Sequence, residues 1–90
     1  MKPEETVAFI QNLLDSTRGS LDNESIESVL HFLKYDEYEM AYEILLLEII
    51  NNNIVVNNHK DILEIAKMLK LDVESVYKED FWNRLTTYLK

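Results

Sequence analysis

The chain contains no cysteine. It therefore has no disulfide framework and no thiolate metal site, which fits a reducing compartment. Glycine and proline occur once each in 90 residues, beside 47% hydrophobic residues. That balance favours a compact helical protein over a disordered or all-β one. No apolar run reaches the roughly 18–20 residues that span a bilayer. The opening stretch, MKPEETVAF, lacks the apolar region and cleavage site of a signal peptide. These absences point to a cytoplasmic protein. Residues 1–90 suffice for a single helical domain with one modest core.

Positive charge is scarce, and its scarcity is uneven. The formal net charge is −8. Residues 1–50 hold three bases (Lys2, Arg18, Lys34) against eleven acids, whereas residues 51–90 hold six of each. The whole excess lies in the first half. Nucleic acid and anionic membrane both require positive charge, so both are poor partners. An acidic face suits a basic protein partner, or serves solubility alone.

The apolar spacing predicts an all-α compact bundle of four to five helices. The first runs from Pro3 to about Thr17, with Pro3 at the first position and Glu4 and Glu5 near the positive end of the dipole. Val7, Ile10, Leu13 and Leu14 give its buried face, and Gly19 follows as a natural left-handed cap. Asp22 or Asn23 caps a second helix ending near Tyr35, in which Ile26, Val29, Leu30 and Leu33 point inward and Glu27 can pair with His31. Asp36 caps a third, continuing to about Asn51, whose apolar half (Ile44 to Ile50) makes it the central helix. The asparagines around Ile54-Val55-Val56 mark a loop. A fourth helix begins near Asn58. Asp72 caps the next segment, where Val73, Val76, Tyr77, Phe81, Leu85 and Tyr88 form an inward stripe that Glu79-Asp80 can interrupt.

Catalytic patterns are nearly missing. His31 and His59 fall on different elements and in no metal-ligand spacing. One glycine cannot build a phosphate-cradling loop. Abundant carboxylates on helix faces do not make an acid–base pair without a cleft that separates their pKa values. Neither enzyme activity, cofactor nor metal is expected. Ile65 to Tyr77 has helix-turn-helix spacing, with Ala66 at the helix crossing and Lys70 in place of the turn glycine. Its second helix, however, brings Glu74, Glu79 and Asp80 toward phosphates that they repel. A DNA-binding regulator is the alternative reading. A generic helical adaptor or homo-oligomer is another.

The better lead is the cluster Tyr35-Asp36-Glu37-Tyr38-Glu39, with Tyr42 and Glu43 a turn further on. Helical spacing puts Asp36, Glu39 and Glu43 along one edge and Tyr38, Tyr42 and Leu45 along another. Like charges at that spacing are mutually destabilising, and a basic partner relieves them. Tyrosines among them offer large contact area at low entropy cost. The partner-binding candidates are therefore Tyr35, Asp36, Glu37, Tyr38, Glu39, Tyr42 and Glu43, with Asp22, Glu24 and Glu27 as second choice.

The run from Val29 to Leu45, VLHFLKYDEYEMAYEIL, resembles the motif of small bacterial immunity proteins of the MafI type. In that family an apolar helix precedes a hydrophobic-x-x-x-Glu-Tyr-x-x-Ala-x-Glu-x-Leu segment, matched here by Glu37, Tyr38, Ala41, Glu43 and Leu45. The glycine that the family often carries near Glu39 or Met40 has no counterpart. Similar small helical proteins are the immunity partners of contact-dependent growth inhibition toxins. The resemblance implies a cytoplasmic antidote to a cognate toxin C-terminal domain, often a nuclease and so basic, because nucleases hold phosphate backbones.

Overall fold

Five α-helices and one 3₁₀ turn make up the regular structure of the described residues, with no strand among them. A computed structural model describes residues 2–74 and 80–90. The helices are α1 (Pro3–Thr17), α2 (Asn23–Lys34), α3 (Tyr38–Asn51), α4 (His59–Met68) and α5 (Phe81–Tyr88), and the 3₁₀ turn is Arg18–Ser20. The chain is an all-helical bundle, as the apolar spacing predicts.

The third helix is its axis. From its second turn α3 buries Ala41, Tyr42, Glu43, Leu45, Leu46, Leu47 and Ile49. Residues on every side of the helix are in that set, which is the mark of a helix enclosed by others rather than packed on one face. Helices α1, α2 and α5 pack against it. Ile10 and Leu14 come from α1, Val29 and Leu33 from α2, Ile62, Ile65 and Ala66 from α4, and Phe81 and Leu85 from α5. All belong to one apolar core.

Three helices end in the same way. Each stops in a Schellman motif, where a left-handed residue turns the chain and two backbone N–H groups reach back to orphan carbonyls. At the end of α2, Asp36 has φ 59°, its N–H donates to Leu33 O at 3.2 Å, and that of Glu37 to Phe32 O at 2.9 Å. Asn53 (φ 54°) and Lys70 (φ 63°) do the same for α3 and α4, with Ile54 N–H on Ile49 O at 3.0 Å and Leu71 N–H on Ala66 O at 2.9 Å. None is glycine.

The observed geometry corrects several expectations. Gly19 lies inside the 3₁₀ turn and does not take positive φ. Asp36 does not cap α3 but closes α2, and Glu37 stands at the N-cap without a side-chain hydrogen bond. Leu30 and Val73, both expected to point inward, are 38% and 76% exposed. The continuation of the Val73 stripe through Val76 and Tyr77 lies outside the described residues. So do most of the segment that Asp72 was expected to cap and the second helix of the helix-turn-helix pattern.

The α3–α4 connection is extended at Ile54–Val56, with Val55 outward and its neighbours against the core. Helix α5 is fastened to it. Arg84 donates to Asn51 Oδ1 at 2.6 Å, and the Tyr88 hydroxyl donates to Ile54 O. The two ring nitrogens of His59 lie 2.9 Å from Leu89 O and 2.8 Å from Val56 O.

A residue that carries a Cβ is strained in the left-handed region, and asparagine tolerates it better than lysine. Lys70→Gly is therefore expected to stabilise the protein by about 1 kcal/mol, and Asn53→Gly by less. Urea denaturation of the two variants beside the wild type checks the ranking.

Candidate functional site

The acidic cluster is placed by the α2–α3 turn. Because Glu37 is at once the last residue of the α2 Schellman motif and the N-cap of α3, only Tyr35, Asp36 and Glu37 separate the two helices. The backbone at this corner is occupied with reversal, so its side chains point outward. Tyr35 is 61% exposed. Its ring meets His31 edge-on with centroids 5.0 Å apart, and Lys34 Nζ lies 5.8 Å from its centroid. His31 also meets Phe32. The expected Glu27–His31 ion pair does not form among the described residues; the imidazole is engaged by rings instead.

Asp36, Glu37 and Glu39 are exposed. Tyr38, half-buried, donates its hydroxyl to Asp36 Oδ1 at 3.1 Å. That hydrogen bond, then desolvation and the charges of Asp36 and Glu4, push its phenol up. Glu39 lies in the first turn of α3, where the helix dipole favours negative charge. Among the described residues the one ion pair, Arg18 with Asp15 at 3.8 Å, is at the end of α1.

Two candidates do not reach the surface. Tyr42 and Glu43 are both 0% exposed, so neither can touch a partner, and the edge expected to join Asp36, Glu39 and Glu43 does not exist. The cause is the packing around α3: Ala41 to Glu43 and Leu45 to Leu47 are all covered, so the edge that carries Glu39 at the surface is closed one turn later. Tyr42 instead donates its hydroxyl to Ile62 O of α4 at 2.8 Å, with its ring against Phe9 at 6.3 Å between centroids. Burial first, then the Asp61 charge, push the phenol far above its ordinary value, so it stays a donor. Among the described residues no buried side-chain nitrogen or oxygen lacks a partner, Glu43 included.

Of the remaining candidates, Glu37 and Glu39 line a groove of about 510 Å³ between the start of α3 and the end of α4, and Tyr35, Asp36 and Tyr38 lie outside its lining. Among the described residues, Glu37, Glu39 and Glu74 supply its carboxylates, Met40, Met68 and Leu69 its apolar surface, and Lys70 a base. Sequence reasoning did not place Met40 or Met68 at a site, and it weighed Glu74 only as an acid that repels phosphates. One signal was available for α4, since Asp61, Glu64 and Met68 recur at helical spacing and so share a face.

The second-choice residues divide. Asp22 and Glu24 line a separate groove of about 280 Å³ with Glu48 of α3, while Glu27 is exposed outside it. Asp22 is committed to the helix, accepting the Ser25 N–H at 2.7 Å. That bond holds its carboxyl below the usual range.

Among the described residues no group of three or more His, Asp or Glu is placed to hold a metal ion, and no helix is long and apolar enough to cross a membrane. The chain matches no protein-family model, no curated protein and no solved structure.

Removing the buried Tyr42 hydroxyl deletes its hydrogen bond to Ile62 O, which keeps its helical N–H partner within α4, so Tyr42→Phe is expected to cost about 1 kcal/mol in urea denaturation, although its ring and packing are retained. Asp22 gives a prediction in pH. Its folded pKa is lowered, so its stabilisation is whole above the unfolded carboxyl's value and is lost as pH falls through the folded one. The Asp22→Asn variant keeps a side-chain cap on α2 but has no carboxyl to titrate. The melting temperature of the wild type should therefore exceed that of D22N at neutral pH, and the gap should close below about pH 4.

Proposed function

We propose that this chain is an immunity protein, a cytoplasmic antidote that binds a basic toxin domain by protein–protein contact through the α2–α3 corner. The observation that carries the reading is the concentration of exposed Asp36, Glu37 and Glu39 beside the aromatic surface of Tyr35 and Tyr38. Glu37 and Glu39 also line the methionine-bearing groove. The resemblance of Val29–Leu45 to MafI-type immunity proteins supports it. A fixed acidic surface speeds encounter with a basic partner and disfavours acidic ones. Binding, not catalysis, is the activity.

A helix-turn-helix regulator is favoured by one feature. Lys70 takes the left-handed turn that the pattern requires, behind a fully buried Ala66. Against it, Glu37, Glu39 and Glu74 stand around Lys70, where they would repel a phosphate backbone.

The direct test starts from the genes adjoining the one for this chain: a large secreted protein with a basic C-terminal domain is sought there, and that domain is co-expressed with this chain. Cells carrying both should grow, and cells carrying the toxin domain alone should not. Failure to rescue, or retention of the purified chain on mixed duplex DNA at low salt, sinks the proposal. With the toxin domain in hand, Glu37→Lys combined with Glu39→Lys is expected to lower the association rate about tenfold or more at low salt and to flatten its salt dependence. Stopped-flow binding at several ionic strengths measures both.

A further inference from the structure

A second groove, of about 420 Å³, adjoins the first across Met68. It is lined by Phe9 of α1 and by Asp61, Glu64, Ile65 and Met68 of α4. Met68, 40% exposed, is common to both. The two therefore form one furrow along α4. Its apolar lining comes from Phe9 and Ile65 on one side of Met68 and from Leu69 and Met40 on the other. Among the described lining residues, Asp61 and Glu64 supply the carboxylates of one groove and Glu37, Glu39 and Glu74 those of the other, beside the ammonium of Lys70.

We propose that this furrow seats one cationic amphipathic helix of the partner, apolar side chains on the apolar lining and Lys or Arg toward the carboxylates of each groove. The proposal rests on the acidic corner being the binding face, and extends that face onto α4. Charge selects the occupant. An anionic or neutral helix gains nothing from five carboxylates, and a purely polar cation leaves the floor of Met68, Met40 and Phe9 wet. The length also fits: α4 from Asp61 to Met68 spans about 10 Å at 1.5 Å per residue, room for about two turns of a facing helix. Methionine side chains adapt their shape to such an occupant, as a rigid floor of branched residues cannot. Helix-in-groove recognition of this kind is read by apolar anchors one turn apart.

Two synthetic peptides of equal positive charge and about eighteen residues test it: one with Leu and Lys at helical spacing, the other with Ser replacing Leu. Titration of the isotope-labelled protein, followed by amide NMR, is expected to move Met40, Ile65, Met68 and Leu69 with the first peptide. That peptide should bind about tenfold more tightly than the second. Met68→Gln, at a half-open position on the last turn of α4, should erase the difference while leaving the Ser peptide's affinity unchanged. Equal affinities for the two peptides, or shifts centred on Asp22, Glu24 and Glu48, overturn the furrow. The immunity reading fails separately. If the furrow binds the Leu peptide but co-expression gives no rescue, the partner is a basic protein of another kind; if rescue survives Met68→Gln and Glu64→Lys but not Tyr35→Ala, a residue outside the furrow, the toxin is bound without it.

Discussion

The burial of α3 on all sides is the constraint on which the rest of the structure depends. A helix that places Tyr42, Glu43, Leu45, Leu46 and Ile49 at 2% exposure or less must be surrounded, and in a chain of this length that engages nearly every other element. Its buried polar groups then need partners, since an unsatisfied group in such a site costs about 1–3 kcal/mol. The Tyr42 hydroxyl meets that need by reaching Ile62 O, which ties α4 to the axis at a fixed position. Ring contact with Phe9 adds α1 to the same residue. The furrow between α1, α3 and α4 is thus built on a buried hydrogen bond, and its walls cannot drift apart without breaking it.

Enclosing one helix with four others requires sharp reversals, and the chain makes them without glycine. Three Schellman motifs turn on Asp36, Asn53 and Lys70. At the first, the following residue is Glu37 rather than the apolar residue that usually packs back onto the helix; at the others it is Ile54 and Leu71. The α2–α3 corner is therefore the reversal with nothing apolar to hide, and its side chains are free to carry charge. Strain and charge coincide there: a left-handed aspartate, held by the Tyr38 hydroxyl at 3.1 Å, stands where small polar residues are best tolerated.

Helix existence was legible from apolar spacing, because the amphipathic helices α1, α2 and α4 each bury one stripe of a repeating pattern. The reversals were less so. Gly19 drew attention because glycine is the usual left-handed residue, yet the geometry that needed one arose at residues chosen for other reasons. The mistaken surface positions have a single origin. Helical spacing places Glu43 on the same edge as Glu39, but spacing describes one helix alone, whereas exposure depends on what covers it. The signal was the apolar run itself: Met40, Leu46 and Leu47 are the neighbours of Glu43 at helical spacing besides Glu39, and a helix apolar all round is a buried one. The groove was not legible, because Glu37 and Glu74 are distant in sequence and meet only through the packing of α3 against the end of α4.

Charge and apolar surface contribute differently at such a site, and the difference decides what each residue can do. An exposed ion pair is worth about 0.2–1 kcal/mol and is screened by salt, so in the proposed complex Glu37, Glu39 and Glu64 would set the rate and the sign of the partner more than the strength of its hold. Burying one large apolar side chain contributes about 1.5–3 kcal/mol, and Met68 and Tyr35 lie exposed within and beside the furrow. Acids alone would admit any basic surface equally. Methionines and tyrosines alone would admit any apolar one. Set side by side on a rigid frame they require both properties in one partner, arranged at the spacing of the furrow, and that joint requirement is how a small helical protein can be selective without a catalytic group or a bound ion.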